Sequence, residues 1–223
     1  TIVVPFAAGG PTDGVARDLA EALRKPLGTD KILVDNAAGA GGSIGANKVA
    51  KAPADGYTLL LNHIGMATMP TLVRNIPFKV ESDFEYLGMV NDVPMTLIGR
   101  PNLPPEDFRA LQTWIRQNSG KINLGHAGVG SASHLCGLLF QSAMKAGMTP
   151  VPYKGTGPAM TDLIGGQIDL MCDQTTNTSP HIEAKKVKVF GVTTAHRLTT
   201  PALKDVPTLQ EVGLKGFSVT IWH

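Results

Sequence analysis

Short apolar runs alternate with helical patterns along almost the whole chain, and this alternation limits the possible folds more than any other feature. Strand-like runs rich in Val, Ile and Leu lie at positions 2–6, 32–34, 57–61, 95–98, 122–124, 149–151, 168–172 and 187–192. Alternation of this kind is typical of α/β proteins, in which helices cover mostly parallel sheets. The sequence therefore predicts an α/β fold.

Helices are predicted where apolar residues recur at a spacing of three or four positions. The tail carries a short helix signal at 208–212 and a strand-like run at 217–222 that could return to the first sheet. The clearest helical patterns are formed by Val15, Leu19 and Leu23, by Leu111, Trp114 and Ile115, and by Leu135, Leu138 and Leu139.

The length of the chain allows one or two domains. It has 223 residues, of which 43% are hydrophobic. This is enough for one large domain, or for two domains of about 100 residues with cores of their own. The most proline-dense stretch is 99–105, and the strand pattern begins again after it. A boundary between two units is predicted at this stretch.

Charge and aromatic content exclude nucleic acid as a partner. The net charge is only +2, and the densest basic stretch, 185–188, is better explained as a solvated helix end. Aromatic residues make up 5% of the chain, which is too few for a base-stacking platform. No apolar run approaches the roughly 20 residues that a membrane-spanning helix needs.

Three apolar runs lead into a glycine-rich turn and then into a helical pattern, at 2–13, 122–133 and 151–158. The first N–H groups of a helix have no partner within the helix, and the helix dipole favours negative charge there. Glycine also lets a backbone approach a ligand closely, because it has no Cβ atom. Several such turns predict a site that holds anionic groups through backbone amides.

One segment matches the GxSxG motif of hydrolases, at Gly41, Ser43 and Gly45. That motif needs a strand that runs directly into the serine, whereas the preceding strand is predicted to end near Val34. An α/β hydrolase that uses Ser43 is therefore kept as an alternative only. The chain contains no dinucleotide fingerprint, no phosphate-binding loop and no HExxH motif, so neither a cofactor nor a metal is predicted.

Two histidines and one aspartate follow strand runs. His63, His126 and Asp173 lie at the carboxyl ends of such runs, where open α/β sheets bind ligands. For both histidines, packing at the strand end explains the position as well as a ligand contact does. Asp173 precedes a polar segment, 174–179, and a pocket wall is favoured there over a solvated turn.

The chain has two cysteines, Cys136 and Cys172. They form neither a CxxC motif nor a metal-ligand spacing, and two buried free thiols are favoured over a disulfide. Cysteine content therefore does not indicate the compartment in which the protein works.

An ordered set of segments, spread over nearly the whole chain, carries a resemblance to a known family. The segments are VPFAAGGPTD at 4–13, GAGGSIG at 39–45, APADGYTL at 52–59, GVGS at 128–131 with His134 and Leu135, PYKG at 152–155, Asp173, and DVPTLQEVG at 205–213. They resemble the substrate-binding proteins of tripartite tricarboxylate transporters, often called Bug proteins. The sequence departs from the family at Ala37-Ala38, where Arg-Pro is usual, and at His126, where a small polar residue is common.

The resemblance implies a two-lobed α/β fold of the periplasmic-binding-protein type (type II-like), with a ligand cleft between the lobes. Residues 1–98 and 198–223 are assigned to the first lobe and 99–197 to the second, with crossings near 98–101 and 192–197. Such proteins work in the periplasm, so a signal peptide is expected to have been removed. Family members usually continue with further helices, so the C-terminal part is expected to be missing here.

The resemblance also implies a function, which is to capture a small carboxylated ligand and deliver it to the membrane permease subunits of a transporter. Dicarboxylates, tricarboxylates, acidic amino acids and aromatic carboxylates all fit, and the protein is expected to be a monomer without a cofactor. A ligand sensor that feeds a signalling receptor is a second alternative. The ligand-binding residues are expected to be Phe6, Ala8, Gly9, Gly10, Thr12, Asp13, His63, His126, Gly130, Ser131, Ala132, Ser133, Thr156 and Asp173.

Overall fold

Two separate β-sheets form the framework of the protein in a computed structural model that describes residues 1–223. The strands of the smaller sheet are all parallel and have β1 in the middle: β1 (Ile2–Val4), β2 (Val34–Asn36) and β3 (Leu59–Leu60). All of β1 is buried, as expected for the central strand of a sheet that is covered on both faces.

Helices cover both faces of this smaller sheet. Val15 and Ala20 of the first helix pack with Val4 of β1, whereas Met66 and Phe78 belong to a second apolar cluster. None of the protein's helices is long and apolar enough to span a membrane. The helices associated with the smaller sheet are α1 (Pro11–Leu27), α2 (Ser43–Ala50) and α3 (Gly65–Leu72).

The larger sheet has six strands, and its direction is mixed. Its strands are β4 (Asp92–Gly99), β5 (Asn123–His126), β6 (Thr149–Pro152), β7 (Leu170–Gln174), β8 (Lys188–Val192) and β9 (Thr220–Trp222). Strand β5 pairs in parallel with β6 and β7, whereas β4 runs antiparallel to β7, β8 and β9. The predicted parallel arrangement therefore holds for part of this sheet and is interrupted by β4.

Both faces of the larger sheet are apolar and carry helices. Neighbouring residues of β4 point to opposite faces, so that Leu97 packs with Leu111 and Phe140, and Ile98 packs with Met160. The helices that complete this layer structure are α4 (Phe108–Gln117), α5 (Ala132–Met144), α6 (Thr156–Ile164) and α7 (Thr175–Glu183).

One helix uses a different face from the one that its leucines indicate. Within α5, the buried stripe is formed by Ala132, Cys136, Phe140 and Met144, which recur every four residues. Leu138 and Leu139 are instead 43% and 51% exposed. The predicted helix is thus correct, but two of the residues that mark it do not belong to its buried stripe.

The tail differs from its prediction in two respects. Residues 209–212 form turns and not a helix, and Thr208 forms an isolated bridge with Val192. Thr208 Oγ1 accepts a hydrogen bond from the N–H of Glu211 over 3.1 Å, which is a local turn interaction. The final strand, β9, pairs with β4 and does not return to the smaller sheet. Its packing explains this, because Ile221 belongs to the core of the larger sheet.

The prediction of two free thiols is wrong. Cys136 of α5 and Cys172 of β7 form a disulfide, with their Cα atoms 6.1 Å apart, within the usual range for such a bond. Both residues are buried in the core between the helix and the sheet. A separation of 36 positions in sequence gives no indication that α5 lies directly over β7.

The two sheets with their helices form two lobes. The division that we predicted, 1–98 with 198–223 against 99–197, stays a prediction. Leu209 and Phe217 of the tail pack in the core of the larger sheet, so a boundary drawn by packing alone would place them in the second lobe.

Candidate functional site

A small polar cavity lies between the lobes, at the carboxyl ends of strands from both sheets. Its volume is about 20 Å³, which is roughly the space that one water molecule needs. The residues that line it are Phe6, Gly10, Pro11, Thr12, His63, Ala127, Ala132, Ser133, Thr156, Asp173 and Gln174. Most of the predicted site residues thus come together at one place.

Four helices begin at this cavity. Thr12, Ser133 and Thr156 lie in the first turns of α1, α5 and α6, and Gln174 is the N-cap residue of α7. The N–H groups of Thr12 and Ser133 have no backbone acceptor, as is usual for a first turn. Unpaired N–H groups and four positive helix ends together favour a bound anion.

Three of the amides that were expected to hold the ligand have partners within the protein. The N–H of Gly9 donates to Asp13 Oδ2 over 3.0 Å, and the N–H of Gly130 donates to His134 Nδ1 over 3.2 Å. The N–H of Ser131 donates to the carbonyl of Gly128 over 3.1 Å. Neither Gly130 nor Ser131 lines the cavity, so their contribution is to shape the turn that precedes α5.

Asp13 holds the first glycine turn in place. Its carboxylate accepts hydrogen bonds from Gly9, from Arg17 Nε and from Asn36 Nδ2, each over 3.0 Å. Burial acts to raise the pKa of Asp13, but the hydrogen bonds from Arg17, Gly9 and Asn36 outweigh burial and keep this pKa below its ordinary value. Asp13 does not line the cavity, and neither does Ala8, which is exposed.

His63 lies in the cavity wall as a neutral hydrogen-bond donor. Its ring stacks on Phe6 with the centroids 4.6 Å apart, and its Nδ1 accepts the N–H of Gly65 over 3.0 Å. Burial, assisted by the neighbouring His223, lowers the pKa of His63 to about 3. Because Nδ1 accepts, the single ring proton is on Nε2.

His126 supports the turn after β5 and does not line the cavity. Its Nδ1 accepts the N–H of Gly128 over 3.1 Å, and its ring lies 4.5 Å from that of His134. Burial lowers the pKa of His126 to about 4. Of the two explanations that the sequence left open for this residue, packing at the strand end fits the structure.

Asp173 and Gln174 bring hydrogen-bond acceptors into the cavity at the end of β7. The Asp173 carboxylate accepts a hydrogen bond from Asn177 Nδ2 over 2.6 Å. Burial raises the pKa of Asp173 to about 6, although hydrogen bonds from Asn177, Gln174 and Thr156 oppose the shift. The Oε1 atom of Gln174 is buried without any hydrogen-bond partner.

Sequence reasoning missed two polar residues of this region. Gln174 was seen only as part of a polar segment, although its place at the end of a buried strand is the signal that pointed to Asp173. His223 contacts the site from the far end of the chain, with its Nε2 3.2 Å from Thr12 Oγ1 and its Nδ1 3.0 Å from Asn91 Oδ1. No local pattern indicates this second contact.

Two larger clefts adjoin the lobe interface. One, of about 250 Å³, is lined by Gly9, Asp13 and Asp18 among others, and shares Gly10 with the small cavity. The other, of about 540 Å³, is lined by residues that include Arg74 and Lys154. One cleft therefore carries acidic side chains and the other carries basic ones.

The lobes touch each other in this structure. The N–H of Ala7 donates to the carbonyl of Lys154 over 2.9 Å, and Thr68 Oγ1 donates to the carbonyl of Gly130 over 3.2 Å. Gly41 is packed so closely against Val129 that a methyl group on its Cα would overlap the Val129 carbonyl oxygen. The structure is thus a closed arrangement of the two lobes.

Ser43 lies outside the cavity and has a structural partner. Its hydroxyl donates to the carbonyl of Ala40 over 3.0 Å, and no histidine contacts it. It begins α2, and a loop separates it from the end of β2. The structure contains no group of three or more His, Cys, Asp or Glu side chains that could hold a metal ion.

The comparisons with known protein sequences all indicate the same family. Residues 15–223 match the model of the tripartite tricarboxylate transporter family receptor. A UPF0065 protein of Agrobacterium vitis, from the TAR-I ttuE-ttuC' intergenic region, is 52% identical over 223 residues, which are 100% of this chain and 64% of the relative. Protein BugT of Bordetella pertussis is 37% identical over 99% of this chain and 68% of its own length. The chain thus spans about two thirds of the length of these relatives.

Solved structures of similar proteins indicate the same family as these sequence relatives. The periplasmic binding protein BugD superposes with a TM-score of 0.95 at 50% identity, covering 100% of this chain and 73% of BugD. MatC from Rhodopseudomonas palustris, with bound malate, superposes with a TM-score of 0.92 at 38% identity, covering 99% of this chain and 74% of MatC. A third protein, from R. palustris with adipate, has a TM-score of 0.93 at 35% identity, covering 99% and 73%.

These relatives share the arrangement of two α/β lobes that the sheets and the cavity define here. Receptors of this family bind substrates, and the family is not one of enzymes. The chain has the two-lobed periplasmic-binding-protein fold and belongs to the tripartite tricarboxylate transporter receptor family.

Proposed function

We propose that this protein captures a small carboxylated metabolite in the periplasm and delivers it to the permease subunits of a tripartite tricarboxylate-type transporter. The observation that carries this proposal is the convergence of four helix N-termini on one closed cavity between the lobes. Relatives have been solved with malate and with adipate, and both of these are dicarboxylates.

Backbone amides are the proposed anchors of the ligand carboxylate. The donors that the cavity offers are the first-turn N–H groups of Thr12 and Ser133 and His63 Nε2–H, whereas the Thr12 hydroxyl donates to His223 Nε2. A hydrogen bond to a charged group contributes about 1.5–3 kcal/mol. Three such bonds together contribute roughly 4.5–9 kcal/mol, from which the ordering costs of binding are subtracted.

Lobe closure is the proposed signal to the transporter. A ligand that bridges both lobes favours the closed arrangement because it contacts both lobes only in that state. The closed protein then presents a surface to the permease subunits that the open protein lacks. Under this proposal the protein acts as a monomer and without a cofactor.

A binding screen tests the proposal. We expect succinate, adipate or citrate to raise the melting temperature of the protein, since a ligand at one hundred times its Kd adds about 2.7 kcal/mol of stability. Succinamide, which has the same carbon chain as succinate but no carboxylate, is the control and should have no effect. Failure of every carboxylate, aromatic ones included, would contradict the proposal.

Variants then test how the carboxylate is held. Arg17 is bound to Asp13 and lies outside the cavity, so Arg17→Ala should weaken binding less than tenfold, which is about 1.4 kcal/mol. Thr12→Val and Ser133→Ala should cost more, because each removes a hydroxyl from the cavity wall. Ser43→Ala is the matched control, and binding should survive it. Loss of binding in Arg17→Ala alone would show that helix N-termini do not hold the anion.

A further inference from the structure

We propose that the ligand carries a hydrogen-bond donor, a hydroxyl or an ammonium group, on the carbon next to its buried carboxylate, and that Asp173 and Gln174 recognise this donor. This inference rests on the proposed function and narrows its substrate class to α-hydroxy and α-amino dicarboxylates. It differs from the anchoring of the carboxylate, which uses donors from other elements.

The end of β7 supplies hydrogen-bond acceptors, whereas the rest of the cavity supplies donors. Helix N-termini and His63 supply donors, whereas Asp173 and Gln174, whose side chains carry a carboxylate and an amide oxygen, line the cavity at the end of β7. Asp173 is 1% exposed and Gln174 is 2% exposed. A ligand whose only polar groups are carboxylates has acceptors alone, so it leaves this wall without a partner and places like charges side by side.

The Gln174 side chain lacks the partner that such a donor would supply. Its Oε1 atom is buried and accepts no hydrogen bond from the protein. Buried polar atoms without partners are rare in native proteins because they cost free energy. A hydroxyl or ammonium group of the ligand would supply the missing hydrogen bond.

Asp173 ensures that the end of β7 accepts hydrogen bonds from the ligand. An amide side chain can turn over and exchange its oxygen for its nitrogen, but an ionised carboxylate only accepts. Donors from Asn177, Thr156 and the Gln174 backbone contact it. An ionised carboxylate has about four lone-pair positions, so one acceptor position is left for the ligand.

The size of the cavity places the two ligand groups close together. The donors for the carboxylate and the acceptors at β7 line the same space of about 20 Å³. Groups that bind there together must belong to the same carbon or to neighbouring carbons. The rest of the ligand would lie outside this space.

Three matched dicarboxylates test the inference by titration calorimetry with the unmodified protein. Succinate, L-malate and L-aspartate have the same four-carbon chain and differ only in the α-substituent, which is hydrogen, hydroxyl or ammonium. We expect L-malate or L-aspartate to bind at least tenfold more tightly than succinate. Asp173→Asn should reduce the affinity for L-aspartate more than that for L-malate, because an ammonium group also loses a charge partner.

Variants of Gln174 link the preference to this wall. Gln174→Leu should reduce the preference over succinate at least fivefold. Gln117→Leu makes the same change at an exposed position of α4 and should leave the preference intact.

The outcomes separate the two proposals. Equal binding of all three compounds to the unmodified protein overturns the inference but not the carboxylate-binding function, and this holds even if Gln174→Leu fails to fold. A preference that persists unchanged in both Asp173→Asn and Gln174→Leu also overturns it. Absence of binding by every carboxylate overturns the inference together with the proposed function.

Discussion

At the scale of single residues, hydrogen bonds inside the turns decide which amides a ligand can reach. Asp13 occupies the N–H of Gly9, and His134 occupies the N–H of Gly130. These side chains order two glycine-rich turns whose backbones would otherwise be flexible. The glycine patterns thus indicate the place of the site correctly, while the exposed amides are those of the helix starts that follow.

Buried neutral histidines should make the protein less stable in acid. Burial lowers the pKa of His63 to about 3 and the pKa values of His126 and His223 to about 4, whereas an unfolded histidine titrates near 6.5. Between these values the unfolded chain binds more protons, so the free energy of unfolding falls as the pH falls from 6.5 to 4. Asp173 has the opposite effect on the free energy of unfolding, because its pKa is raised to about 6 and the folded protein binds this proton more readily. It is one group against three histidines.

Thermal unfolding at several pH values measures this effect. We expect a lower melting temperature at pH 4.5 than at pH 7.5, and a shallower dependence in His63→Gln. His196 is exposed, and His196→Gln should leave the dependence unchanged. A melting temperature that stays constant or rises towards pH 4.5 would contradict the prediction.

At the scale of elements, the disulfide joins helix α5, whose start offers hydrogen-bond donors to the cavity, to strand β7, whose end offers acceptors. Cys136 lies one turn beyond Ser133 on α5, and Cys172 directly precedes Asp173 on β7. The bond thus fixes the helix start that offers donors against the strand end that offers acceptors. The spacing between these two groups of cavity residues depends on it.

Removing the disulfide should lower both stability and affinity. Its cysteines are 36 positions apart, and closing a loop of this length stabilises a protein by roughly 4 kcal/mol in the chain-entropy account. We expect the variant with Cys136→Ala and Cys172→Ala to melt at a lower temperature and to bind succinate or L-malate more weakly.

Dithiothreitol provides the control for this experiment. It should lower the melting temperature of the unmodified protein and have no effect on the double variant. Two titratable thiols in the unreduced, unfolded protein would show that the bond does not form.

The strands and helices also show which features of the fold could be predicted from the sequence. Every predicted strand run overlaps a strand, because β-branched and apolar runs reflect burial in a sheet. The hydrophobic pattern carries no information on strand direction, so the antiparallel β4 could not be foreseen. The spacing of Leu138 and Leu139 indicates a helix but not which of its faces is buried. A contact such as that of His223, which is 211 positions from Thr12, leaves no signal in the local pattern.

At the scale of the whole molecule, closure depends on backbones that meet without side chains between them. Gly41 of the first lobe packs directly on the Val129 carbonyl of the second. Gly155 also lies close to Ala7, where a methyl group would be 2.9 Å from the Ala7 nitrogen. Glycines at these positions let the backbones of the two lobes come into direct contact.

A methyl group at Gly41 should therefore oppose closure. We expect Gly41→Ala to weaken ligand binding more than tenfold and to increase the radius of gyration of the liganded protein in X-ray scattering. Gly56 has a similar backbone, with φ of 79° against 64° for Gly41, but open space around it. Gly56→Ala should thus share the backbone strain and leave affinity unchanged. Equal effects of the two substitutions would show that strain alone is responsible.

The small cavity between the closed lobes affects how long a ligand stays bound as well as how tightly it binds. A molecule held behind the contacts between Ala7 and Lys154 and between Thr68 and Gly130 has to wait until the lobes separate before it can leave. Its residence time is then set by the rate at which the liganded lobes open, so a ligand with more contacts to both lobes should dissociate more slowly. A transporter that speeds this opening would control release without competing for the ligand.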